Sequence, residues 1–173
     1  PVVVDLKISD EAIGNASALL AGGDASAAVA VVASLVGTIN AGSSSLSIDA
    51  ATAVREDAAG VMVDAASLVA AVAEGAGVAA DSLLATQLAE SVNAVADHVA
   101  QVSNVTTRRA ADALAAILRG RRDNGGPVGV SEATKDAVIE AVSRLLLAND
   151  DAGGEAGRRG RAGQADIFGR ITS

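Results

Sequence analysis

His98 is the chain's one histidine and the first place to look for acid–base or metal chemistry. Asp97 lies beside it and Glu90 eight residues earlier, but there is no Glu-x-x-His spacing and no second histidine. A catalytic imidazole or a metal centre needs partners at ligand spacing. His98 therefore reads as an ordinary helix-surface or cap-side histidine. Glu56, Asp57 and Asp64 form a close carboxylate set. Such groups do acid–base work when burial drives their pKa values apart, but these three fall off the apolar stripe of their helix and read as a solvated face. No alternating Asp/Asn loop closed by Glu, the pattern of a calcium site, is present.

Gly153, Gly154, Gly157 and Gly160 imitate a phosphate loop. They follow no strand, contain no Gly-Lys-Ser/Thr and open no helix, so they read as linker. Arg119, Arg121 and Arg122 form one basic cluster; Arg158, Arg159 and Arg161 form another. Anion contact, an acidic partner and cleavage after Arg-x-x-Arg in a secretory pathway all fit them. So does the plain reading of solvated, protease-sensitive loops, which charge runs ordinarily take. Two N-glycosylation triplets occur, Asn15-Ala16-Ser17 and Asn104-Val105-Thr106. Asn104 is the better candidate, because it falls in a turn between two expected helices, whereas Asn15 falls inside one. No catalytic residue, metal or cofactor is expected.

The elements that hold these residues are helices. In GDASAAVAVVASLVGTIN (Gly23 to Asn40), Asp24 is a good N-cap. Ala25, Val29, Val32, Val36 and Ile39 follow at alternating steps of four and three, one stripe of a helix. A helix over about 50–74 carries Val54, Ala58, Val61, Ala65, Leu68 and Val72, with Gly60 inside it, expected to mark a close helix contact. Asp81 caps a helix to about Val102 with Leu84, Leu88, Val92, Val95, Val99 and Val102 inward. Thr106 or Thr107 caps a shorter one with Ala110, Leu114, Ile117 and Leu118 inward. Ser131 caps a last one to about Asn149 with Val138, Val142, Leu145 and Leu146 inward. Ahead of these, Ser9 or Asp10 caps a short helix ended by Gly22 and Gly23. PVVVDLKI (1–8) reads as a strand, and Ile167 to Ile171 as another.

The expected fold is thus mainly α, an antiparallel bundle or layer of about six helices with short strand-like segments at its ends. Residues 1–8 form the N-terminal segment, 9–149 the helical domain, and 150–173 a Gly/Arg-rich tail. Segment 1–8 is expected to pair with Ile167 to Ile171 or with a neighbouring module.

Composition narrows function. The 173 residues fit one domain. Half are apolar, yet Phe168 is the single aromatic residue, so base or sugar stacking is disfavoured. Residues 1–107 hold two basic residues against twelve acidic ones, which opposes nucleic acid and anionic lipid. No apolar run is long enough to span a membrane, and without cysteine there is no disulfide framework. A chain opening on Pro1 rather than Met is expected to be a processed product or a piece of something larger.

Three stretches resemble the helical region of receptor-for-egg-jelly (REJ) modules and the related helical subdomain of GAIN domains. They are Gly23 to Asn40 with its following serine loop; VMVDAASLVAAVAE (Val61 to Glu74) with ADSLLATQLAESVNAVAD (Ala80 to Asp97); and TRRAADALAAILRG (Thr107 to Gly120) with SEATKDAVIEAVSRLLLAN (Ser131 to Asn149). The resemblance implies a non-enzymatic extracellular spacer or adhesion module of a polycystin-type or adhesion-receptor surface protein, with a ciliary or flagellar surface as a common setting. Its partners would be other modules of the parent protein or neighbouring extracellular proteins. The GAIN self-cleavage motif, His-Leu before Ser or Thr, is missing, so self-cleavage is not implied. The alternative expectation is an intracellular helical scaffold or granule-coat protein that binds apolar surfaces through amphipathic helices.

Overall fold

The computed structural model describes residues 4–42, 44–76, 82–98, 101–119 and 132–151. Among these, six helices form the fold: α1 (Leu6–Ala21), α2 (Ala25–Asn40), α3 (Ile48–Ala76), α4 (Ser82–Val95), α5 (Asn104–Arg119) and α6 (Glu132–Asp151). No strand occurs among the described residues.

The turn between α1 and α2 shows how local chemistry sets the path. Gly23 takes a positive φ of 84°. Its N–H bonds to Leu20 O and that of Asp24 to Leu19 O, the paired bonds that close a helix on a left-handed glycine. Asp24 then opens the next helix, its Oδ1 accepting from Ala27 N at 3.0 Å. One residue thus ends α1 and caps α2.

Successive helices reverse direction. Arg55, near the start of α3, meets Ala94 and Val95 at the end of α4. Arg109 of α5 reaches Glu56 of α3, and Thr86 and Asp97 of the α4 region meet Thr134 and Arg144 of α6 in the same order. So α3 runs with α5 and α4 with α6. The core lies between them and is built from small aliphatic groups: Val29, Val32 and Val36 of α2; Ala58, Met62 and Ala65 of α3; Leu88, Val92 and Val95 of α4; Leu114 of α5; Leu145 of α6. A smaller cluster of Val4, Leu35, Ile39 and Val54 closes one end. The expected stripe of α2 is buried throughout. That of α3 is buried from Val54 to Ala65, with Leu68 half-buried.

Several boundaries differ from the sequence reading. The described part of segment 1–8 is not a strand: Leu6 to Ile8 are the first turn of α1, because Asp5 caps it, accepting from Ile8 N at 2.9 Å, and residues 1–3 lie outside the described residues. Ser9, expected as a cap, is buried inside the helix and donates to Asp5 O. Among the segment's described residues Val4 alone keeps a β contact, a parallel bridge to Ser44, with Ser45 N donating to Val4 O at 2.9 Å. Its partner is thus the serine loop; Ile167 to Ile171 lies outside the described residues. Helix α4 stops at Val95 rather than Val102. Helix α5 starts at Asn104 because Ser103 is its cap, its Oγ accepting from Thr106 N at 3.1 Å. Thr106 and Thr107, the expected caps, are buried within the first turns. The proposed caps Asp81 and Ser131, Val99 of the α4 stripe, and the tail beyond Asp151 lie outside the described residues.

Candidate functional site

Arg55 is the centre of the most fully built polar cluster among the described residues. It lies one position from Val54 of the apolar stripe, and its side chain is fully buried, 0% exposed. Its Nη1 donates to Val95 O at 2.9 Å and Ala94 O at 3.3 Å. Its Nη2 donates to Asn40 Oδ1 at 2.5 Å and its Nε to Gln101 Oε1 at 3.1 Å. Asn40, the last residue of α2, donates from Nδ2 to Ala94 O at 2.9 Å. Its carbonyl lies 3.4 Å from His98 Nε2.

No carboxylate shares this cluster. The positive charge instead faces the carbonyl ends of α2 and α4, where the helix dipoles place partial negative charge. Burial pulls the Arg55 pKa below its ordinary value, yet a guanidinium stays charged at neutral pH. The same bonds explain why α4 ends early. Ala96 N is shared between Val92 O and Asn93 O, Asp97 N bonds back three residues to Ala94 O, and Arg55 and Asn40 donate to the carbonyls of Ala94 and Val95, so the chain turns away instead of adding another turn.

A second cluster joins α3 to α5. Ser103 Oγ donates to Glu56 Oε1 and lies 3.2 Å from Thr106 Oγ1. Arg109 Nη1 donates to Glu56 O at 2.6 Å. That reach explains Gly60: a Cβ there would sit 3.3 Å from Arg109 Nη1. The expected close contact at Gly60 is therefore a crossing arginine rather than a backbone approach.

The sequence candidates among the described residues fall as follows. Asp57 and Asp64 are exposed and line a groove of about 380 Å³ with Asp112, Arg109 and Ser17. Glu56 is half-buried, and its carboxylate is engaged by Ser103, so the three carboxylates do not act as one set. His98 is exposed beside the Arg55 cluster. Asp97, its neighbour, pairs with Arg144, which also holds Glu140 at 2.8 Å. Among the described residues no three His, Asp or Glu side chains converge on a point that could hold a metal ion. Asn15 is exposed in mid-α1 and Asn104 is exposed as the first residue of α5, not in a turn. Arg121, Arg122, the second arginine cluster and the four glycines of 153–160 lie outside the described residues.

Sequence reasoning passed over Arg55. One signal was present: Ala51, Arg55, Ala58, Met62 and Ala66 step by four, three, four and four, so the arginine sits in an apolar stripe of its own. A second groove, of about 500 Å³, is apolar and runs between α1 and α2 past Val4, Ile8, Val31 and Leu35. No protein-family model, curated protein or solved structure matches the chain.

Proposed function

We propose that this chain is a non-enzymatic helical spacer or adhesion module of a larger extracellular or cell-surface protein. The observation that supports this reading best is the use made of Arg55. A fully buried cation joins the ends of α2 and α4 to the start of α3 through amide and carbonyl acceptors. Such an arrangement fixes the relative position of helix ends and offers no group to a substrate. The Ser103–Glu56 and Thr86–Thr134 bonds act in the same way between α5 and α3 and between α4 and α6. The module's mechanism is then passive: it keeps its shape under load and presents its outer helix faces to neighbouring modules.

Intact-mass and peptide analysis of protein from its native source tests the extracellular part. Glycan on Asn104 is the expected result, because Asn104-Val105-Thr106 is an acceptor triplet. Asn104 unmodified in all molecules argues against a eukaryotic secretory route. The apolar groove between α1 and α2 favours the second reading, an intracellular scaffold on apolar surfaces. Co-sedimentation of the purified chain with neutral vesicles or polymer granules, with Val31→Asp abolishing it, would select that reading instead.

A further inference from the structure

We propose that Asn104 accepts a glycan only before α5 closes on α3, so that the folded chain is not an acceptor. The inference rests on the extracellular reading for where the reaction happens; its geometry stands without it. Transfer bonds the Asn104 amide nitrogen to the anomeric carbon of a lipid-diphosphate-linked sugar. The carbon–oxygen bond to the diphosphate breaks, the diphosphate leaves with the electron pair, and the amide proton passes to a base of the transferase. An acceptor asparagine is defined by the hydroxyl two residues on, and both side chains must be presented together. In the folded chain they are not. Residues two apart on a helix do not share a face. Asn104 is exposed, while Thr106 is buried at 0% exposure and its Oγ1 lies 3.2 Å from the Ser103 hydroxyl that reaches Glu56. In α1 the triplet is less closed: Asn15 and Ser17 are both exposed, and Ser17 Oγ donates to Ile13 O at 3.0 Å. Ser103 is the element that closes Asn104, since it caps α5 and holds it to α3. Occupancy at Asn104 is then set by a race between transfer and docking of α5.

The test uses purified full-length chain, an oligosaccharyltransferase and a lipid-linked sugar donor, read by mass at Asn104. Three proteins are compared: wild type, Ser103→Ala, which keeps the triplet but removes the cap, and the double variant Leu88→Asp/Leu114→Asp, whose two core charges abolish the fold and its helical circular dichroism. Expected is at least tenfold less transfer to the wild type than to the unfolded double variant, with Ser103→Ala in between. Equal transfer to folded wild type and unfolded chain overturns the closure. No transfer to the unfolded chain overturns Asn104 as an acceptor. Neither result depends on where the native protein resides, so the extracellular reading is judged separately.

Discussion

Replacing Arg55 should unfasten three helix ends at once. Truncation to Ala leaves Asn40 Oδ1, Gln101 Oε1 and the Val95 carbonyl without the guanidinium, and takes one of its donors from the Ala94 carbonyl, which keeps Asn40 Nδ2. A hydrogen bond to a charged group contributes about 1.5–3 kcal/mol, and a buried acceptor left unpaired costs about 1–3 kcal/mol. Four such bonds do not add in full, because water enters the gap and reaches the outer acceptors. The expected loss is about 3–5 kcal/mol, a large share of an ordinary domain's stability of about 5–15 kcal/mol. At this chain length that lowers Tm by roughly 6–20 °C. Arg55→Met keeps much of the volume and removes the donors, so it should lose nearly as much as Arg55→Ala. An apolar replacement is tolerated when both partners of a buried pair are exchanged; here the acceptors remain. Arg55→Lys should recover only part, since one ammonium cannot reach acceptors on three sides. Urea denaturation followed at 222 nm gives the free energies. A double-mutant cycle of Arg55→Met with Asn40→Ala should show coupling of about 0.5–3 kcal/mol. Arg55→Met within about 0.5 kcal/mol of wild type, or strict additivity with Asn40→Ala, would refute the view that the guanidinium holds these ends together.

Leu88 is fully buried at the centre of α4, so Leu88→Ala should cost about 2–5 kcal/mol by denaturation; a loss under about 0.5 kcal/mol would put the core on another face. Gly60→Ala should gain little in the wild type, because its Cβ displaces Arg109, but should gain about 1 kcal/mol of helix propensity in an Arg109→Ala background. Equal gains in both backgrounds would remove the crossing-arginine account. Among the described residues Asn93 Oδ1 is buried without a hydrogen-bond partner, so Asn93→Ala should fall within about 0.5 kcal/mol of wild type, whereas Asn40→Ala should cost at least about 1 kcal/mol. A large loss at Asn93 would mean that its oxygen holds a structural water.

The six helices were legible because their signals are local. Asp24 meets its N–H three residues on, Gly23 is chosen by its own φ, and the stripe of Val29, Val32, Val36 and Ile39 is written at helical spacing. Local reading misplaced the first helix start for a related reason. The run Val2, Val3 and Val4 suggested a strand, yet a single carboxylate at Asp5 capping Ile8 was enough to bring Leu6 into a helix. The loss of one aspartate would leave that choice far less certain, because short helices form mainly with help from caps and tertiary packing.

The candidate site was not legible, because every partner of Arg55 comes from elsewhere in the chain. Asn40 lies 15 residues before it, the α4 carbonyls about 40 after it, and Gln101 46 after it. A lone arginine in sequence is solvated unless other elements supply acceptors, and no spacing rule announces a carbonyl at a helix end. Sequence alone determined the helices, their apolar faces and the acidic balance of the first two-thirds, since each depends on neighbours within one or two turns. Where α4 stops, why Gly60 is a glycine and which carboxylate Ser103 reaches were decided only when the helices packed. Unpaired carbonyls, a crossing Arg109 and a buried Thr106 are consequences of bringing distant backbone into contact, where a hydrogen bond left unmade costs more than one made contributes.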